Sequence, residues 1–333
     1  MLLALSVLAV PLAREQRHPA AGPPPPAGRI VRLDPALDAL VPRDAVIERF
    51  DFGFVYAEGP VWTADGALVF SDLPANTIFK ITATGQTSIV RKPSGYDRKD
   101  SPLGRFIGSN GLTLDRQGRL IICEHGNRRV SRLETDGRLT VLADAYDGKR
   151  LNSPNDVVVK SDGSIYFTDP PYGLFEIEDD PNKALPYAGI FRIRGGRVEL
   201  LSSEWRRPNG LAFSPDERYL YVAHSDEARR AWMRFEVKAD GTLGPATVFF
   251  DVTAEPLTGV PDGMKVDSQG HVYGTGPGGV WIISPDGRPL GRLEVPEQPA
   301  NLAWGDDGRT LYITARSSIY RIRLNVGGPR PCC

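Results

Sequence analysis

The chain has 333 residues, 40 basic against 41 acidic, and its 35 glycines and 29 prolines make up nearly a fifth of it, against about 12 % in an average protein. Balanced charge excludes a basic nucleic-acid-binding surface, and glycines without a triplet period exclude collagen. So many helix breakers exclude a helical bundle, and three cysteines exclude a disulfide scaffold or zinc knuckle. A globular all-β protein cut by many turns remains.

Residues 1–45 hold 8 of the 29 prolines, among them the run Pro23 to Pro26. The stretch Leu2 to Ala13 is apolar but too short to span a bilayer. No Lys or Arg precedes it, so it reads as an atypical export signal, with a mis-assigned start as the alternative. The expected location is periplasmic or secreted, the alternative cytoplasmic. Gly22 to about Ala45 is expected to be a mobile linker. The organisation is therefore a leader and linker over 1–45, a folded unit over 46–326 and a tail over 327–333. No other apolar run approaches membrane length.

From residue 58 onward one pattern recurs: a polar residue, an apolar strand, a turn, a second apolar strand. The copies begin at Glu58, Asn110, Asn155, Asn209, Asp262 and Asn301. The aligned turn residues are Gly66, Gly118, Gly163, Glu217, Gly270 and Gly308, separated by 52, 45, 54, 53 and 38 positions. The first five polar residues stand eight positions before their turn residue, Asn301 seven. Hairpins repeating every 40–55 residues, with room for two more strands each, specify a six-bladed β-propeller. The second blade should add Arg128–Glu134 and Leu139–Ala143, the fifth Gly279–Ser284 and Leu290–Glu294. After Ile319–Leu324 the last blade lacks a fourth strand. Val46–Phe50, unpartnered at the other end, is expected to supply it and close the ring.

Innermost strands surround one axis, so the six recurring polar residues converge there. A turn-capping role explains Asn and Asp but neither Glu58 nor the constant spacing. Two carboxylates and several carboxamides aimed at one point call for a cation. Oxygen-only donors select Ca²⁺ first, with Mg²⁺ or Zn²⁺ as alternatives. Glu58, Asn209 and Asp262 are the strongest ligand candidates and Asn155 the next. Asn110 and Asn301 face substrate, close the channel or cap turns.

The chain has no G-x-S-x-G elbow, no H-E-x-x-H and no phosphate-binding loop. Metal-assisted hydrolysis remains: a cation polarises a carbonyl or phosphoryl oxygen, and a carboxylate moves the proton of water. Asp262 is the first choice for that proton, Glu58 the second. His125 is the histidine expected to approach the mouth. The loop Arg91–Gly108 reads as a lid bringing Arg98, Lys99 and Arg105 to a polar substrate, and Pro170–Tyr187 as a second wall.

The segments Glu58-Gly59-Pro60-Val61-Trp62, Ser153-Pro154-Asn155-Asp156, Pro208-Asn209-Gly210 and Pro261-Asp262-Gly263-Met264 resemble the SMP-30/gluconolactonase/LRE-like family. Cys123-Glu124-His125-Gly126-Asn127-Arg128-Arg129 and Thr168-Asp169-Pro170-Pro171-Tyr172-Gly173 resemble its bacterial gluconolactonases in particular. The resemblance implies a divalent-metal lactonase acting on small sugar lactones such as glucono-1,5-lactone; charge balance and the lack of a long apolar run add the expectation that neither nucleic acid nor a membrane span is involved. It implies Glu58, Asn209 and Asp262 as metal ligands, Asn155 as a metal or substrate contact, and Asp262 as proton donor and acceptor. Asn110, Arg105 and His125 join Asn155 as expected substrate contacts. Some members carry an arginine two positions before the asparagine at Asn155; here that residue is Ser153. Two rival functions are an organophosphate-hydrolysing phosphotriesterase and a non-catalytic sugar- or protein-binding propeller with a structural cation.

Overall fold

The computed structural model describes residues 26–100, 104 and 106–329. The stretch Leu2 to Ala13, Arg105 and the last four residues lie outside the described residues. Nearly all regular structure is β, and no described helix is long and apolar enough to cross a membrane.

The repeat becomes geometry at its turns. All six aligned turn residues have positive φ, from 54° at Glu217 to 91° at Gly270. Glycine enters that region without steric cost, which explains five of the six. Glu217 is the exception, and its carboxylate accepts from Ser161 N at 2.7 Å and Lys160 Nζ at 2.8 Å on the neighbouring blade. The strained turn is thus tied down by bonds that a glycine could not make.

Six antiparallel blade sheets follow among the described residues, each with its innermost strand at one edge, beside a two-stranded ribbon of Ala145–Tyr146 and Lys149–Arg150. Blade 1 runs Ala57–Thr63, Ala67–Asp72, Thr77–Thr82, Thr87–Arg91, and blade 2 Ser109–Leu114, Leu120–Glu124, Arg129–Leu133, Leu139–Ala143. Blade 3 runs Val157–Val159, Ile165–Asp169, Gly189–Arg194, Arg197–Ser202, and blade 4 Pro208–Phe213, Tyr219–Asp226, Arg229–Glu236, Thr247–Asp251. Blade 5 runs Met264–Val266, Val272–Gly276, Gly279–Ile283, Pro289–Glu294. Blade 6 runs Pro299–Gly305, Thr310–Ala315, Ser318–Arg323, and Glu48–Phe52 pairs antiparallel with its last strand. Inner strands touch from blade to blade, blade 6 against blade 1 included. The protein is a six-bladed β-propeller.

The core is divided among the interfaces between blades. In Ala67–Asp72, Leu68 and Phe70 pack with Tyr312 and Ile319 of blade 6, while Val69 packs with Leu112 and Ile122 of blade 2. Both faces of the strand are buried, so its sequence reads as a continuous apolar run. Truncating Phe70 to Ala would cost about 3–5 kcal/mol.

One expectation is corrected. Within Gly22–Ala45, residues 26 onward are not a mobile linker. Arg29–Arg32 pairs with Pro289–Glu294 and makes blade 5 five-stranded. Leu37, Leu40 and Val41 are buried between blades 5 and 6, and Leu37 lies against Gly291. Proline-rich composition suggested mobility, but three buried apolar side chains and a paired edge dock the segment. Part of the tail is docked too, since Ser268 N donates to Gly327 O and Gly328 N to Gly308 O.

Candidate active site at the propeller axis

The axial residues are aimed by the local backbone. In blades 1, 2 and 4 the pairing register shifts beside Glu58, Asn110 and Asn209. Such bulges turn a side chain out of the ladder. In blades 3 and 5, Asn155 and Asp262 precede the inner strand and are fixed by backbone bonds to Thr168 O and Thr275 O. The residue after each is crowded by the next blade. A Cβ on Gly210 would lie 2.4 Å from Asp262 O, and one on Gly263 2.1 Å from Asn301 Cγ. Only blades 3 and 6 carry a side chain there, Asp156 and Leu302.

Glu58, Asn110, Asn155, Asn209, Asp262 and His125 all line one pocket of about 280 Å³. Asn301 lies below it, buried, and fixes Glu58. Its Oδ1 accepts from Leu302 N at 2.8 Å, and its Nδ2 donates to Glu58 Oε2 at 3.0 Å. Gly59 N also donates to that oxygen, which leaves Oε1 as the open atom. Asn209 Nδ2 donates to Ser225 Oγ at 2.9 Å, and Ser225 Oγ in turn donates to Pro261 O. Asn209 Oδ1 is thereby left buried without a partner. Asn110 Nδ2 and His125 Nε2 are 3.1 Å apart.

Electrostatics set these groups apart from surface carboxylates. Burial, then the Asp156 charge, pushes Glu58 up to about 7. Burial, then Glu58 and Asp156, raises Asp262 well above the usual range. Burial also raises Asp156, whose Oδ2 has no partner, although the Lys265 ammonium opposes the shift. Lys265 is itself depressed by burial. Burial brings His125 down to about 4, so it is neutral near pH 7. Three carboxyls share one axis with a single, partly suppressed lysine.

The wall above this floor comes from other elements. Tyr56, Leu73, Phe106, Tyr172, Ile177, Arg207 and Val260 line it. Phe106, from the loop over 91–108, meets Tyr56 edge to face at 5.4 Å. Tyr172 and Ile177 come from the insertion over 170–187, which forms a wall. Two of the expected lid cations are placed differently: Arg98 pairs with Asp100 on the surface, and neither it nor Lys99 lines the pocket. The Arg98 charge is paired within the loop, and the aromatic ring of Phe106 lines the site. Ser153 does not line the pocket either. Its Oγ donates to Pro170 O at 2.6 Å and accepts from Gly173 N at 2.8 Å, clamping the insertion.

Asp156, Lys265, Arg207 and Glu227 are the charged residues that sequence reasoning missed. Counting outward from each axial residue would have found two of them. Asp156 stands one position after Asn155, where four other blades have glycine, and Arg207 two before Asn209.

The donor set fits a hard cation. The open Glu58 oxygen, the Asp262 carboxyl and the orphaned Asn209 Oδ1 are oxygens without their own counter-charge. Among the described residues no three His, Cys, Asp or Glu side chains form a metal-holding group, so carboxamides would have to complete the shell.

A six-bladed propeller with mixed carboxylate and carboxamide oxygens converging at one end of its axis defines a class of axial-site β-propeller proteins. Within it, residues 56–317 match the SMP-30/Gluconolactonase/LRE-like region, and the chain belongs to that family. It is 38 % identical to a gluconolactonase of Zymomonas mobilis over 90 % of this chain and 87 % of that one. It is similar to the solved structure of a gluconolactonase from Xanthomonas campestris, with TM-score 0.78, 32 % identity, and 91 % and 98 % of the two chains covered. Regucalcin of Agrobacterium tumefaciens shares the fold, at TM-score 0.67 and 21 % identity, over 84 % and 94 % of the chains.

Proposed function

We propose that this protein hydrolyses small sugar lactones to aldonic acids with the help of one divalent cation, Ca²⁺ foremost. Relatives that match nearly the whole chain are gluconolactonases, and the protein is a lactonase. The observation that carries the cation is Asn209 Oδ1, buried and unpartnered in the pocket that Glu58 and Asp262 also line, where the Glu58 charge raises Asp262. Glu58, Asn209 and Asp262, with Asn155, would hold the ion.

When bound, the cation supplies Lewis-acid polarisation of the lactone carbonyl and offsets the carboxylate charges. The chain's own residues do the rest. Asn301 and Gly59 hold one Glu58 oxygen and present the other to the pocket. Asp262 takes a proton from the attacking water as the new C–O bond forms. It returns that proton to the ring oxygen when the acyl C–O bond breaks, giving the hydroxy acid. Asn110 and the neutral His125 offer hydrogen bonds to ring hydroxyls, while Tyr56, Phe106 and Tyr172 cover the ring and exclude water.

The reading is tested by comparing glucono-1,5-lactone with a fluorophosphate at saturating Ca²⁺. A clear preference for the lactone is expected. A preference for the fluorophosphate would assign the site to phosphotriester chemistry, and turnover of neither would leave a binding propeller.

A further inference from the structure

Two positions before each axial residue lies a second ring around the mouth: Tyr56, Gly108, Ser153, Arg207, Val260 and Pro299. Three of these, Tyr56, Arg207 and Val260, line the pocket. Arg207 is the only charged member of that ring and the only lysine or arginine among the described lining residues. The equivalent Ser153 is committed to holding Pro170 and Gly173.

Arg207 is placed rather than loose. Its Nε donates to Glu178 Oε1 at 3.1 Å, on the same insertion that supplies Tyr172 and Ile177. Its backbone oxygen accepts from Ser225 N at 3.0 Å, and Ser225 is the residue that orients Asn209. With Nε spent, the guanidinium keeps its Nη1 and Nη2 donors, which make no hydrogen bond among the described residues. That edge presents parallel N–H groups suited to two neighbouring oxygens. Leu73, Ile177 and Val260 offer no such donors, so discrimination between hydroxylated and bare rings falls to few groups.

Resting on the lactonase reading, we propose that Arg207 is the specificity residue of this site. Its free edge receives two adjacent oxygens of the substrate and selects polyhydroxylated lactones over their deoxygenated analogues. Glu178 acts through Arg207, by holding the guanidinium at the mouth.

Steady-state kinetics on glucono-1,5-lactone and δ-valerolactone, with Ca²⁺ saturating, test the proposal. The Arg207→Met variant should raise KM for gluconolactone about tenfold, the scale of lost charge-assisted hydrogen bonds, with most of the loss in KM rather than kcat. The ratio of kcat/KM between the two lactones should fall by about the same factor. Arg207→Lys keeps the charge without the fork and should recover less than half of that ratio. A ratio within threefold of wild type in both variants overturns the proposal, as does an equal loss on both lactones. Calorimetric titration with gluconate separates this from failure of the lactonase reading. If wild type hydrolyses neither lactone, a tenfold weaker gluconate Kd in Arg207→Met still supports the assignment, and an unchanged Kd refutes it.

Discussion

Blades 3 and 4 place the same frame at the axis, Ser153-Pro154-Asn155-Asp156 and Arg207-Pro208-Asn209-Gly210, and use it differently. In blade 3 the first residue is structural, clamping the insertion from below. In blade 4 it is a cation facing the pocket. The last residue is reversed: blade 3 adds a buried carboxyl, whereas blade 4 tolerates only glycine against Asp262 O. Between them stands an asparagine in both, and that of blade 4 carries the unpartnered oxygen. Position is set by the repeat, but role is set by what the neighbouring blade leaves room for.

The largest effect should come from erasing the difference at the fourth position. Gly210→Ala puts a Cβ into the backbone of blade 5 and should cost about 3 kcal/mol or more, read as a lowered denaturation midpoint. A variant as stable as wild type would show that the blades can move apart. Next, Asn209→Ala removes the orphaned oxygen and should weaken Ca²⁺ binding by about tenfold to a hundredfold, measured by calorimetry. Neighbours that merely orient metal ligands reach such factors, so an unchanged affinity would remove Asn209 from the ligand set.

Ser153→Ala sharpens the other half of the comparison. It strands Pro170 O and Gly173 N, and should lose about 2 kcal/mol of stability with little effect on KM beyond any shift of the insertion. A large KM effect at unchanged stability would make Ser153 a substrate contact after all.

The smallest effect is a pH dependence. Glu58 titrates near 7 in the folded protein, against an ordinary value of 4.5. Between those values the folded chain holds more protons than the unfolded one, so the cation-free protein loses stability as pH rises through that window. Bound at the axial carboxyls as proposed, Ca²⁺ would relieve the repulsion at pH 8 but compete with protons at pH 5. The rise in Tm on adding Ca²⁺ should therefore be a few degrees larger at pH 8 than at pH 5. Equal increments would mean that the axial carboxyls do not hold the ion.

Much of this was legible in the residues because a propeller repeats its instructions. All six aligned turn residues adopt the left-handed conformation that their glycines suggested, Glu217 included. Five axial residues found by spacing, and His125, line one pocket. What stayed hidden depends on contacts between blades, which no single repeat encodes. Asp156 reads as an ordinary strand-edge residue until Gly111 of the preceding blade is seen against it. Lys265 reads as an exposed residue of an alternating strand, yet it sits among the axial carboxyls. Arg207 carries no motif of its own, and only its place two positions before Asn209 and on the pocket wall marks it. The N-terminal linker was misread because its prolines obscured Leu37, Leu40 and Val41, which dock it.

The most direct test of the central claim is acid release from glucono-1,5-lactone, followed in wild type and Asp262→Asn while Ca²⁺ is titrated into chelator-treated protein. The expected wild-type rate rises from the uncatalysed background, saturates with Ca²⁺ and is abolished again by EDTA. Asp262→Asn should stay about 10²- to 10⁴-fold slower at saturating Ca²⁺. Equal turnover with and without the cation, or full turnover by Asp262→Asn, would contradict that claim.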